Sequence, residues 1–130
     1  MPRANGTFDI TGWDPQPIDE AEGATVSRVH VTKDFHGDLD GTSTTDILTA
    51  VTQVETSMAY VGFERFTGSV HGHKGTFVLH HTATGHDGDQ SMSWSVLPDS
   101  GTGELAGIRG AGQITVADGT HSYHLDYDLT

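Results

Sequence analysis

The sequence predicts an all-β protein, an eight-stranded antiparallel closed barrel, on three observations. Apolar and polar residues alternate with period two along most of the chain, which is strand patterning and not helix patterning. The breaks between alternating runs are short and carry Gly, Asp or Pro, so successive strands turn back on one another. No run is both long and periodic enough to serve as the crossover helix of a parallel sheet. Eight strands are enough to close a sheet and remove its edges; a two-sheet sandwich is the alternative.

Residues 7–13 open the pattern, with Phe8 and Ile10 on one face. Residues 14–23 are predicted as a loop, because Pro15 and Pro17 lack backbone donors and the four acids of this stretch favour water. Residues 24–36 carry Val26, Val29, Val31 and Phe35 among polar residues, and the slip in alternation between Val26 and Val29 suggests a bulge. A turn at 38–41 leads into 42–53, where Ile47, Val51 and Val54 also fit a helical spacing. Six threonines between Thr42 and Thr56 favour strand, since β-branched side chains lose freedom in a helix. Residues 57–70 place Tyr60, Gly62, Glu64 and Phe66 on one side and Ala59, Val61, Phe63 and Arg65 on the other. Then follow a turn at 71–75, a strand at 76–84, a turn at 85–89 and a strand at 90–97. A loop at 98–103, a strand at 104–116, a turn at 117–120 and a strand at 121–129 complete one domain spanning 1–130.

Six Lys and Arg stand against eighteen Asp and Glu, a net charge of −12 that repels phosphate backbones and anionic lipid headgroups. Nucleic acid and membrane are therefore not expected as partners. The absence of cysteine excludes disulfides, thiolate metal sites and cysteine nucleophiles. Residues 1–11 lack the basic start and apolar run of a signal peptide, which makes the cytoplasm the default expectation.

Nine histidines raise the question of a metal, but their spacing argues against one. His71 and His73 flank Gly72 in a turn, no acid follows them until Asp87, and adjacent His80 and His81 point to opposite faces. No serine sits in a nucleophile elbow. The glycine-rich stretches 101–103 and 107–112 lack the ending of a phosphate loop and are better explained by close backbone approach. Neither a metal nor a cofactor is expected.

Glu64 remains, a carboxylate in mid-strand among aromatic and apolar neighbours. It either pairs with Arg28, Arg65 or Arg109, or lines an internal pocket where burial would suit it to acid–base work. If the turn is centred near His73, Glu64 lies nine positions before it and His81 eight after, as cross-strand or diagonal neighbours. Glu64 and His81 are thus the candidate catalytic pair, near the ring of Trp94. Tyr60, Phe66, Phe77, Leu79, Met92 and Trp94 are the candidate ligand-binding residues of the surrounding wall.

Several stretches occur in order at fitting distances: Tyr60-Val61-Gly62-Phe63-Glu64-Arg65-Phe66-Thr67-Gly68, Gly75-Thr76-Phe77-Val78-Leu79-His80-His81, Gly101-Thr102-Gly103-Glu104-Leu105-Ala106-Gly107-Ile108-Arg109-Gly110 and Tyr123-His124-Leu125-Asp126-Tyr127. Together they closely resemble the DUF3224 family, bacterial proteins of uncharacterised function, over nearly the whole chain. His80 stands where that family is expected to carry glutamine. The resemblance implies a barrel similar to that of allene oxide cyclase, and the 101–110 stretch is also similar to dirigent proteins of the same barrel. By fold-level analogy it implies a cofactor-independent cyclase or isomerase acting on an apolar small molecule. A non-catalytic carrier or sensor of a hydrophobic ligand, and a structural module with a filled core, are the alternatives; a homo-oligomer fits any of the three.

Overall fold

Short turns leave a strand no neighbour to reach except the one it has just left, and across the longer connections as well each strand pairs with the one before it. In the computed structural model, which describes residues 1–129, the strands are β1 (Arg3–Ala21), β2 (Ala24–Gly37), β3 (Leu39–Thr52), β4 (Met58–Val70), β5 (His73–His86), β6 (Asp89–Val96), β7 (Arg109–Ala117) and β8 (Thr120–Asp128). They hydrogen-bond in chain order as a closed barrel, and β1 returns to β8 through antiparallel pairs from Arg3↔Asp126 to Phe8↔His121.

Three of the hairpins share one device. His71-Gly72, Asp87-Gly88 and Asp118-Gly119 each place two consecutive residues at positive φ (47° and 83°, 52° and 82°, 53° and 76°). That is the turn whose twist matches the right-handed twist of paired strands. At Gly119 a methyl group would meet no atom within 4 Å, so only the backbone term opposes a side chain there. Gly119→Ala is therefore expected to cost about 1–2 kcal/mol, read as a fall in the urea midpoint with an unchanged slope.

Four sequence expectations are corrected. Residues 14–21 are strand, not loop: Pro15 pairs with Val29 and Pro17 with Ser27. β1 leaves β8 after Phe8, so beyond that point it has a free edge on which proline's missing donor is harmless. The register irregularities lie in β1, between Ile10 and Gly12 and between Pro17 and Asp19, while β2 pairs with β3 without a break through Val26–Val29. The turn between β4 and β5 is His71-Gly72 alone, with Val70 opposite His73. Residues 104–108 are not strand, because a short 3-10 helix (Gly103–Leu105) and the chain after it fold back under the barrel.

That loop closes one end. Leu105 and Ile108 are buried against Phe35, Leu39, Phe66, Val70, Phe77 and Tyr127 as a single apolar cluster. Thr102 N–H donates to the Thr76 carbonyl at 2.9 Å, and a methyl group on Gly75 would stand 2.0 Å from the Thr102 carbonyl oxygen. Glycine at 75 is what lets the plug approach the wall. The opposite end is less tightly sewn, since β6 and β7 share only the pairs Trp94↔Gly112 and Ser95↔Ala111.

Candidate functional site

Strand register stacks the interior side chains in layers. Lys33, Ser43, Phe66 and Phe77 lie side by side across β2–β5; one layer nearer the open end come Val31, Thr45, Glu64 and Leu79. Above those stand Val29, Ile47, Gly62 and His81, continued by Trp94 on β6. Most of this wall is apolar, so each charged group in it must find partners within the barrel.

Glu64 does so completely. It is 0% exposed; its Oε1 accepts from Trp94 Nε1 at 3.1 Å and Lys33 Nζ at 3.3 Å, and its Oε2 accepts from Ser43 Oγ at 2.6 Å and stands 3.2 Å from Lys33 Nζ in the ion pair. Three side chains thus donate hydrogen bonds to its two oxygens. Lys33 is itself 5% exposed, with its ammonium 4.6 Å from the centre of the Phe8 ring. The partner of Glu64 is thus none of the three arginines. Arg28 and Arg109 pair with Asp46 and Asp128 on the outside, and Arg65 is exposed on the outer face.

Above this ion pair the barrel keeps a cavity of about 180 Å³. Phe8, Val31, Ile47 and Ile114 form its apolar wall, and Lys33, Thr45, Tyr60 and His81 its polar part. Ile10, Trp13, Val116 and His121 complete the lining, the first three exposed as a rim. The Tyr60 hydroxyl and His81 Nε2 are 2.9 Å apart in a hydrogen bond. Burial, and after it the Lys33 ammonium, pulls the His81 ring down to about 4, so it is neutral at pH 7. Burial, reinforced by the Glu64 charge, raises the Tyr60 phenol above its ordinary value.

Glu64 and His81 do face the interior together, as diagonal neighbours: Glu64 pairs with Leu79 and His81 with Gly62. The turn is centred between His71 and Gly72 and not at His73, which makes Leu79 the residue opposite Glu64 and puts His81 on the same face as Glu64. The two side chains serve different partners, however, and only His81 reaches the cavity. Of the predicted wall residues only Tyr60 lines it. Phe66, Phe77 and Leu79 have the interior parity but sit in the plugged half, fully buried in the apolar cluster, and half-buried Met92 packs against that cluster. Trp94 lies against Phe35 and Tyr123 and directs its N–H to Glu64.

Lys33 and Thr45 are the residues sequence reasoning missed, and the signal was present. Lys33 shares its parity with Val29, Val31 and Phe35, and Thr45 with Ile47. Among the described residues no three His, Asp or Glu side chains gather as a metal ligand set, and no helix is long and apolar enough to cross a membrane.

The family model for a protein of unknown function, DUF3224, matches residues 4–127. A crystal structure of a DUF3224 protein of unknown function from Shewanella oneidensis MR-1 is similar at 32% identity and a TM-score of 0.90, over 100% of this chain and 98% of that one. No curated protein matches the chain.

Proposed function

We propose that this chain, which belongs to the DUF3224 family, binds a small, largely apolar molecule in the open half of its barrel. The observation that carries this reading is the cavity of about 180 Å³, walled by aliphatic and aromatic side chains over a neutralised ion pair. A space of about 150 Å³ lined by apolar side chains suffices for benzene, and drug-sized ligands occupy about 300 Å³ or more. The cavity is therefore sized for one ring or its equivalent.

A catalytic reading, as a cofactor-independent isomerase or cyclase, draws on a different observation. The Tyr60–His81 hydrogen bond puts a neutral imidazole and a phenol in the cavity wall, an acid–base pair within reach of a bound molecule. Glu64 is not the base in that reading, because its oxygens are already occupied by Lys33, Ser43 and Trp94. Turnover abolished by His81→Gln would favour catalysis; binding without turnover favours a carrier or sensor.

Tryptophan emission tests the binding itself. Trp13 is 56% exposed on the rim, while Trp94 is buried. Titration with toluene is expected to give a saturable change in emission that disappears in Trp13→Phe. A merely linear response up to the solubility of toluene would overturn the proposal.

A further inference from the structure

We infer that the ligand carries one uncharged acceptor oxygen, a carbonyl or its equivalent, and that Thr45 and Lys33 receive it at the floor of the cavity. This rests on the binding reading above and names the ligand class. Thr45 is 2% exposed and lines the cavity, yet its hydroxyl oxygen has no hydrogen-bond partner. A buried hydroxyl without a partner destabilises a fold that valine of the same shape would serve better. A ligand oxygen would give this hydroxyl its missing acceptor.

Lys33 lies one layer below Thr45, on the strand next to it, and also lines the cavity. An ammonium has three donors, and among the described residues the hydrogen bonds of Lys33 go only to Glu64. Donors are therefore available on this floor, whereas both oxygens of its carboxylate already accept hydrogen bonds.

Charge decides between a neutral and an ionised oxygen. Lys33 and Glu64 cancel, and the His81 ring is neutral at pH 7. A ligand carboxylate would enter as an uncompensated buried anion, in a protein already carrying −12. An uncharged carbonyl accepts the same hydrogen bonds without that penalty.

Three probes of about one ring separate the possibilities: toluene, cyclohexanone and benzoate, titrated by amide NMR at about pH 8, where an ordinary imidazole is uncharged. Toluene and cyclohexanone are expected to saturate and to shift amides of the residues around the cavity, and benzoate to do neither. Thr45→Val is expected to reduce cyclohexanone affinity relative to toluene affinity by about 3- to 10-fold, the value of one net hydrogen bond. The same variant is expected to unfold at higher urea than the parent, since it removes an unpartnered polar atom. Failure of both neutral probes to bind would overturn the binding reading itself. Binding of both with an unchanged affinity ratio in Thr45→Val, or tighter binding of benzoate than of cyclohexanone, would overturn only the inference.

Discussion

Replacing Lys33 by Met is expected to destabilise the barrel by about 3–5 kcal/mol, the range found when one partner of a buried ion pair is removed. The reason is what remains. Glu64 stays 0% exposed with donors from Ser43 and Trp94 but without its counter-charge. Glu64→Gln removes the charge from the other side and leaves the Lys33 ammonium buried, so it too is expected to be strongly destabilising. The double variant Lys33→Met/Glu64→Gln is expected to recover much of the loss, because the glutamine carbonyl still accepts hydrogen bonds from this floor and no charge is left unpaired. Urea denaturation of the four proteins closes the cycle. A coupling of about 2 kcal/mol or more identifies the pair as a unit, whereas simple additivity would show that the two charges are stabilised independently.

Faces were legible in the sequence and heights were not. Period-two alternation put Tyr60, Gly62, Glu64 and Phe66 on one side, and in the structure Gly62, Glu64 and Phe66 are buried while Val61, Phe63 and Arg65 are exposed. Parity is a local property of a pleated strand, so it survives even a misplaced turn. Where along the barrel axis a residue sits depends on the stagger of every strand and on what fills each end. The plug of Leu105 and Ile108 takes up the space beside Phe66 and Phe77, and nothing in the alternation of β4 and β5 announces it. Residues 104–108 themselves read as strand because Leu105 and Ile108 are apolar, although the chain there turns to cover the barrel.

The candidate site was half legible for a related reason. Carboxylates and histidines draw attention as chemistry, whereas Lys33 reads as an ordinary polar position of a half-buried strand. Its place in the series Val29, Val31, Lys33, Phe35 marks it as inward, and an inward lysine in an acidic protein needs a carboxylate. Glu64 is inward on the same principle. Seeking each as the other's partner would have found the pair without the structure; distances to Ser43 and Trp94 would not have followed.

His81 provides the second large effect, a loss of stability in mild acid. Its pKa is about 4 in the folded protein against an ordinary 6.5, with burial the main cause and the Lys33 charge next; Glu64 opposes them and His80 adds slightly to the lowering. A depressed folded-state value means that the unfolded chain binds the proton first. The contribution is therefore fully present above about pH 6.5, and it is lost as pH falls from there through about pH 4. The integrated effect is on the order of 3 kcal/mol, from about 1.4 kcal/mol for each pKa unit. His81→Gln keeps a side chain able to bond with the Tyr60 hydroxyl but cannot take up the proton. Over that pH interval its stability is expected to fall less than the parent's by about that amount, measured as urea midpoints at matched pH. Parallel profiles would show that His81 takes up its proton as readily in the fold as in the unfolded chain, so that in mild acid the cavity wall would carry a positive charge near Lys33.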